Sequence, residues 1–278
     1  TYNGICDTSV SVTINQPDVI DTSVTINSCG SFIWHDTIFN NTGQYILIDT
    51  AQNGCDSIIT LNLNITNTIT IDSITPNMQI ICQNGPIDDI CVFVSGGTGT
   101  YQYQWWEIVN NIASPATGTG VNTDCYTPQN TTVSTTQYYC IVSSDSSQVC
   151  VDTSYSVFVE IVENPQISIE PQDDSVCIDA AITINVDYVY GIGTPTYQWY
   201  QNSICDTNNA TLATGIGFNT DTYTPNTTIA STTYYFCIIS FPNSTGCNTI
   251  VSECAEIIVL PDPTIDIQPL ATDTICLG

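Results

Sequence analysis

Fourteen cysteines are the residues of this chain best equipped to do chemistry, and their spacing repeats. Cys29, Cys82, Cys177 and Cys276 each open a β-rich segment, while Cys6, Cys55, Cys150 and Cys247 each sit in a short turn before a final strand-like run. The chain has one Met, one His and no Cys-x-x-Cys pair, so the thiols read as disulfide crosslinks of an oxidising, extracellular compartment. Zinc is the rival use of the same thiols, but His35 has no second histidine to join it. Within each segment the opening and turn cysteines are expected to pair: Cys29 with Cys55, Cys82 with Cys150, and Cys177 with Cys247. The first bridge is worth about 3 kcal/mol and the longer two about 4 kcal/mol each on a chain-entropy argument. Cys6 and Cys276 are expected to find partners beyond this stretch of sequence.

Other chemistry is thinly represented. His35 beside Asp36 is a nominal acid–base pair, but the two follow Trp34 on an expected strand, where adjacent side chains face opposite ways. The pairs Asp88–Asp89 and Asp173–Asp174 stand in loop positions with no basic or histidine partner and read as solvated charge, so no catalytic residue is assigned. Glu170, Asp173 and Asp174 at one join and Asp262 and Asp266 at the next are candidate calcium ligands, hard oxygens where two segments meet. Tyr101, Tyr103, Trp105, Trp106, Tyr197, Trp199 and Tyr200 are a candidate carbohydrate-binding strip. Strand alternation leaves Trp106 and Tyr200 as its expected exposed members. Asn-x-Ser/Thr sequons occur at Asn40, Asn64, Asn130, Asn209, Asn226 and Asn243.

The charge excludes more than the motifs include. There is no Lys and no Arg in 278 residues, against 27 Asp plus Glu, for a formal net charge of −27. Phosphate clamps, Schiff-base lysines, arginine fingers and nucleic-acid contacts all need a cation that is missing, and anionic membranes repel such a chain. Lys-based isopeptide crosslinks are excluded too, and trypsin has no cleavage site. The carboxylates are spread evenly, with 5 in residues 17–67, 9 in 68–163 and 9 in 164–260. Neighbouring segments therefore repel, which favours an extended array. The 42% hydrophobic content and dense β-branched alternation exclude disorder, and no membrane-spanning run is present.

Those residues must be held by strands. Short alternating runs recur between Gly, Asn, Thr and Pro clusters, and no segment carries a helical period of useful length. Residues 68–163 and 164–260 are two copies of one unit. Tyr103-Gln104-Trp105 answers Tyr197-Gln198-Trp199, Tyr126-Thr127-Pro128 answers Tyr223-Thr224-Pro225, and Tyr138-Tyr139-Cys140 answers Tyr235-Phe236-Cys237. Residues 17–67 form a shorter β domain with Trp34 and Tyr45 as its expected large core residues. Residues 1–16 echo the end of a preceding repeat and 261–278 the start of a following one, so the chain reads as a slice of a longer array. The expected fold is all-β: tandem Ig-like β-sandwiches in an extended, disulfide-stapled array. The immunoglobulin core pattern appears as Cys91 in an apolar strand, Trp105 fourteen positions on, and Cys140 with Tyr138 two residues before it. Cys91 is expected to bridge to Cys140, leaving Cys125 over. Asn185 aligns with Cys91 in the second copy, so Cys205 and Cys254 are expected to pair with each other or with Cys237. Pro165, Pro171, Pro261 and Pro263 at the joins are expected to stiffen them.

The run from Asn53-Gly54-Cys55-Asp56-Ser57 to Leu61-Asn62-Leu63 carries a family resemblance. So do Pro195-Thr196-Tyr197-Gln198-Trp199-Tyr200, Thr222-Tyr223-Thr224-Pro225, Thr233-Tyr234-Tyr235-Phe236-Cys237, and Gly246-Cys247 onward to Ala255-Glu256-Ile257-Ile258-Val259. Together, over essentially the whole chain, these resemble the repeat regions of giant adhesins secreted by Bacteroidota, including the SprB-like gliding-motility adhesins exported by the type IX system. The resemblance implies a non-enzymatic cell-surface filament that works in adhesion and gliding. Its implied partners are neighbouring repeats, surface polysaccharide or other filament chains. The family's O-glycosylation at Asp-Ser/Thr implies candidate sites at Thr37, Thr50, Ser57, Ser73, Ser175 and Thr274. The rival functions are a carbohydrate-binding surface module and a stalk that spaces a catalytic domain elsewhere in a parent chain.

Overall fold

A computed structural model describes residues 21–50, 56–97, 99–144 and 150–268. Every regular element among them is a β-strand, and no helix is long and apolar enough to cross a membrane. The paired strands fall into three groups in chain order, giving a tandem array of β-sandwich units.

In the second unit one sheet runs Ile112–Pro115, Gln102–Val109, Ser134–Ser143, Val157–Val162, Met78–Cys82, with Val151–Thr153 added beside Ser134–Ser143. The opposing sheet runs Cys125–Tyr126, Ile90–Gly96, Ile69–Thr75. The opening strand Met78–Cys82 lies parallel to the closing strand Val157–Val162, and all other pairings are antiparallel. A parallel first-to-last pairing beside an antiparallel hairpin core, faced by a smaller sheet, is an Ig-like order. The third unit repeats it: Asp174–Cys177 lies parallel to Ala255–Leu260, which pairs with Ser231–Ser240 and through it with Thr196–Asn202. The first unit is smaller, with Asp21–Cys29 parallel to Asp56–Thr66 and Gly43–Thr50 on its other side.

Alternation fills the cores. In Val157–Val162 the residues Val157, Val159 and Ile161 are buried and their neighbours are not. Trp105 is fully buried, stacks on Tyr126 at 5.6 Å and donates from Nε1 to the Thr123 carbonyl at 2.9 Å. Trp199 does the same with Tyr223 at 5.4 Å and the Thr220 carbonyl at 2.8 Å. Among the described residues of the first unit, Leu61 and Leu63 are the buried side chains, while Trp34 and Tyr45, expected at its centre, are half-buried about Phe39.

Two sequence expectations are corrected by the backbone. His35 and Asp36 do not continue a strand; with φ of 45° and 58° they are the two-residue turn joining Phe32–Trp34 to Thr37–Phe39. Cys91 does not bridge to Cys140. Ile90 and Val92 point into the core, so Cys91 between them points out, whereas Cys140 is fully buried. The two cysteines stand on opposing sheets, and alternation turns Cys140 into the core between the sheets while it turns Cys91 to the outer face of its own sheet. Cys91 is bonded instead to Cys125, its antiparallel neighbour, so Cys125 is not left over.

Candidate functional site: the seams between units

Three opening cysteines occupy one structural position. Each ends the first strand of its unit's parallel pair, and each sits opposite the end of the closing strand: Cys29 beside Thr66, Cys82 beside Val162, Cys177 beside Leu260. The turn cysteines Cys150 and Cys247 lie at the other end of their sandwiches, before the closing strand begins. In the second unit that strand, Val157–Val162, alone spans about 20 Å, whereas a disulfide joins Cα atoms less than about 7 Å apart. The expected pairing of Cys82 with Cys150 is therefore out of reach, and Cys177 with Cys247 fails in the same way. Cys29 with Cys55 fails as well, because Cys29 is bonded elsewhere; Cys55 itself lies outside the described residues.

The bridges cross the seams instead. Cys29 of the first unit is bonded to Cys150 of the second, 121 residues on, with Cα atoms 5.1 Å apart. Cys82 of the second is bonded to Cys247 of the third, 165 residues on, with Cα atoms 4.9 Å apart. Within the third unit Cys205 is bonded to Cys254. Cys177 is an exposed free thiol; Cys140 and Cys237 are buried free thiols, both pushed up to about 12 by desolvation. Cys6 and Cys276 lie outside the described residues.

Around each bridge the seam is close-fitted. At the first, Cys29 packs against the second unit's core. Gly30 donates from its backbone to the Thr66 carbonyl at 2.8 Å, and a Cβ on Gly30 would come within 2.7 Å of the Thr68 methyl. At the second, the Cys82 amide donates to the Thr245 carbonyl of the third unit at 3.0 Å. Gly85 and Gly246 meet backbone to backbone, and a Cβ on Gly246 would stand 2.4 Å from the Gly85 Cα. Gly246 has φ of +76°, the left-handed region that glycine enters without cost. Asn130 donates to the Gly85 carbonyl at 2.8 Å and Asn164 to the Gln83 carbonyl at 3.1 Å, so the loop that carries Cys82 is tied down on both sides.

The remaining candidates do not converge on one site. Among the described residues no three His, Cys, Asp or Glu side chains come together to hold a metal ion. The Glu170 and Asp173 carboxylates accept from the Glu253 and Glu256 amides at 2.8 and 2.7 Å, and Asp174 accepts from the Ser175 amide. Asp262 and Asp266 are exposed. Of the aromatic strip, Trp105 and Trp199 are core residues. Trp106 and Tyr200 are half-buried rather than exposed, stacked on Tyr139 and Phe236. Tyr101 and Tyr103 pack at the edge of the second core, and Tyr197 at the edge of the third. Thr37 and Ser175 are exposed, Ser57 and Ser73 half-buried; the Thr50 side chain and Thr274 lie outside the described residues. Two sequon amides are already engaged: Asn64 donates to Asn27, and Asn130 to Gly85.

No protein-family model matches the chain, and no curated protein sequence matches it. Among solved structures, a three-Ig-domain fragment of titin is similar at 10% identity and a TM-score of 0.45, over 83% of this chain and 81% of that one. Three N-terminal domains of the bacteriophage RB49 Highly Immunogenic Outer Capsid protein are similar at 12% identity and a TM-score of 0.45, over 81% and 85%. The eight N-terminal Ig domains of Down Syndrome Cell Adhesion Molecule are similar at 12% identity and a TM-score of 0.47, over 83% of this chain and 31% of that one. The Ig-like assignment rests on the strand order, register and core described above.

Proposed function

We propose that this chain is a load-bearing, non-enzymatic repeat segment of a long extracellular surface filament, and that the filament is an adhesin of the Bacteroidota gliding-motility kind. The observation that carries the reading is that two disulfides run between units rather than within them. An intra-domain bridge stabilises a fold, whereas a bridge across a seam resists bending and pulling. A chain that spends cysteines on seams is built to hold its length. The net charge of −27 acts in the same direction, pushing units apart along the axis and keeping filaments soluble. The disulfides themselves belong to an oxidising compartment, and exposed Thr37 and Ser175 are accessible to glycosylation there. Antibody raised against the chain is expected to label extended fibres on intact cells that carry the gene. Labelling confined to the cytoplasm would overturn the proposal.

A second reading has its own observation. Trp106 lines an open groove of about 410 Å³ together with Gln102, Gln104 and Asn122, and its indole N–H is buried without an acceptor. Aromatic surface beside amide side chains suits a sugar ring. Glycan-array binding that is lost in Trp106→Ala would support a polysaccharide-reading module; an unchanged profile would remove it.

A further inference from the structure

We infer that Cys177 is a docking position for a Gly–Cys turn of a further β-sandwich of this type. The seam bridges are then rungs of a continuing ladder. The inference rests on the filament reading above and extends it to the third unit. The structural position that Cys177 occupies is already bridged twice in this molecule, at Cys29 and at Cys82.

The correspondence between Cys82 and Cys177 extends well beyond the sulfur. After Cys82, the Gln83 amide donates to the closing-strand carbonyl of Val162 at 2.8 Å; after Cys177, the Ile178 amide donates to that of Leu260 at 3.0 Å. Asn84 and Asp179 follow in the left-handed region at φ of 63° and 62°. Their amides donate to equivalent loops, at the Asn130 and Thr227 carbonyls. Each turn then closes back on its cysteine, Gly85 to the Cys82 carbonyl at 2.9 Å and Ala180 to the Cys177 carbonyl at 3.1 Å. The receiving loop at Cys177 thus already has the bonded shape, while among the described residues Cys177 is a free thiol. Ala180 stands where Gly85 receives Gly246, so an incoming turn must sit about a methyl group further out.

Bond formation is an oxidation. The Cys177 Sγ and the incoming Sγ each give up a proton and join, and their two electrons reduce a disulfide of the glutathione or oxidoreductase class to two thiols. The consequence is mechanical. The stretch from a turn cysteine to the next opening cysteine is 27 residues both from Cys55 to Cys82 and from Cys150 to Cys177. Cys29, Cys150 and Cys177 then lie on one covalent path that passes two units in 27 residues, about 90 Å when fully extended. Most of that stretch is already in strands, so pulling has little slack to take up even if the units themselves unfold.

The test appends a second copy of residues 164–260 directly after Leu260, folds the chain in an oxidised/reduced glutathione buffer, alkylates free thiols and maps non-reduced peptides. The expected result is a peptide joining Cys177 to the appended copy of Cys247, with alkylation of Cys177 lost. The inference is overturned if the appended unit forms its own bond between the copies of Cys205 and Cys254, and so is folded, while Cys177 is alkylated, capped by glutathione or joined to Cys177 of another chain. Absence of the Cys29–Cys150 and Cys82–Cys247 bonds themselves would instead bring down the filament reading on which the inference rests.

Discussion

The buried thiols of Cys140 and Cys237 behave as small apolar side chains, and burial holds both up to about 12. Such groups bind their proton more tightly folded than unfolded. Their contribution is complete below the unfolded value of 9.0 and is lost as pH rises toward about 12. Tyr197 and Tyr223, also raised to about 12 by burial, act in the same direction from their ordinary 10.0. The melting temperature is therefore expected to fall progressively above pH 9; a melting temperature flat to pH 12 would contradict the burial of these groups. Single glycines separate seam from loop. Gly246→Ala must both adopt φ of +76° and clear a Gly85 Cα at 2.4 Å, so it is expected to lower the yield of the Cys82–Cys247 bond on oxidative folding. Gly99→Ala has φ of +85° but no neighbour nearer than 3.6 Å, so it carries only the left-handed backbone cost of about 1–2 kcal/mol and leaves the seam intact. Peptide mapping of both variants distinguishes the two effects.

At the scale of elements, the two larger units repeat even their irregular contacts. The Ser154 hydroxyl accepts from the Cys140 amide and donates to the Tyr155 carbonyl, both at 2.9 Å. Ser252 does the same between Cys237 and Glu253. Ser154→Ala and Ser252→Ala each leave a buried amide without its acceptor and are expected to cost about 1–3 kcal/mol in urea unfolding of their own unit. Equal losses would mark the contact as a feature of the repeat. Much of this was legible in the residues, because Trp, Tyr and Cys recur at matching spacings and alternation identifies the faces. The pairing of Cys91 was also legible, through parity: Ile90 and Val92 claim the core. Its partner shows in a joint replacement, since Asn185 and Thr222 stand where Cys91 and Cys125 do, and the two positions face each other in the register. Asn185→Cys with Thr222→Cys is accordingly expected to form the missing cross-strand bond and stabilise the third unit by about 2–4 kcal/mol; two thiols that stay alkylatable would contradict the register.

At the scale of the whole molecule, the seams were hidden from a reading of one unit at a time. The opening and turn cysteines of a unit are close neighbours in the pattern of the sequence, yet the parallel pairing of first and last strands carries them to opposite ends of the sandwich. The sequence signal for parallel pairing is weak, because it lies in two strands at the far ends of each unit. The bridges interleave, Cys82 falling between Cys29 and Cys150. Pulled between Asp21 and Leu260, the reduced chain is expected to extend to about 80 nm. The bridged chain has a shorter covalent path through Cys82 and Cys247 and is expected to stop at about 25 nm. The most direct test of the account is the disulfide map itself, read from non-reduced peptides cut at acidic and aromatic residues. The account predicts peptides joining Cys29 to Cys150 and Cys82 to Cys247. Recovery of Cys82 joined to Cys150 would contradict it, returning each bridge to its own unit and leaving the seams without a covalent lock.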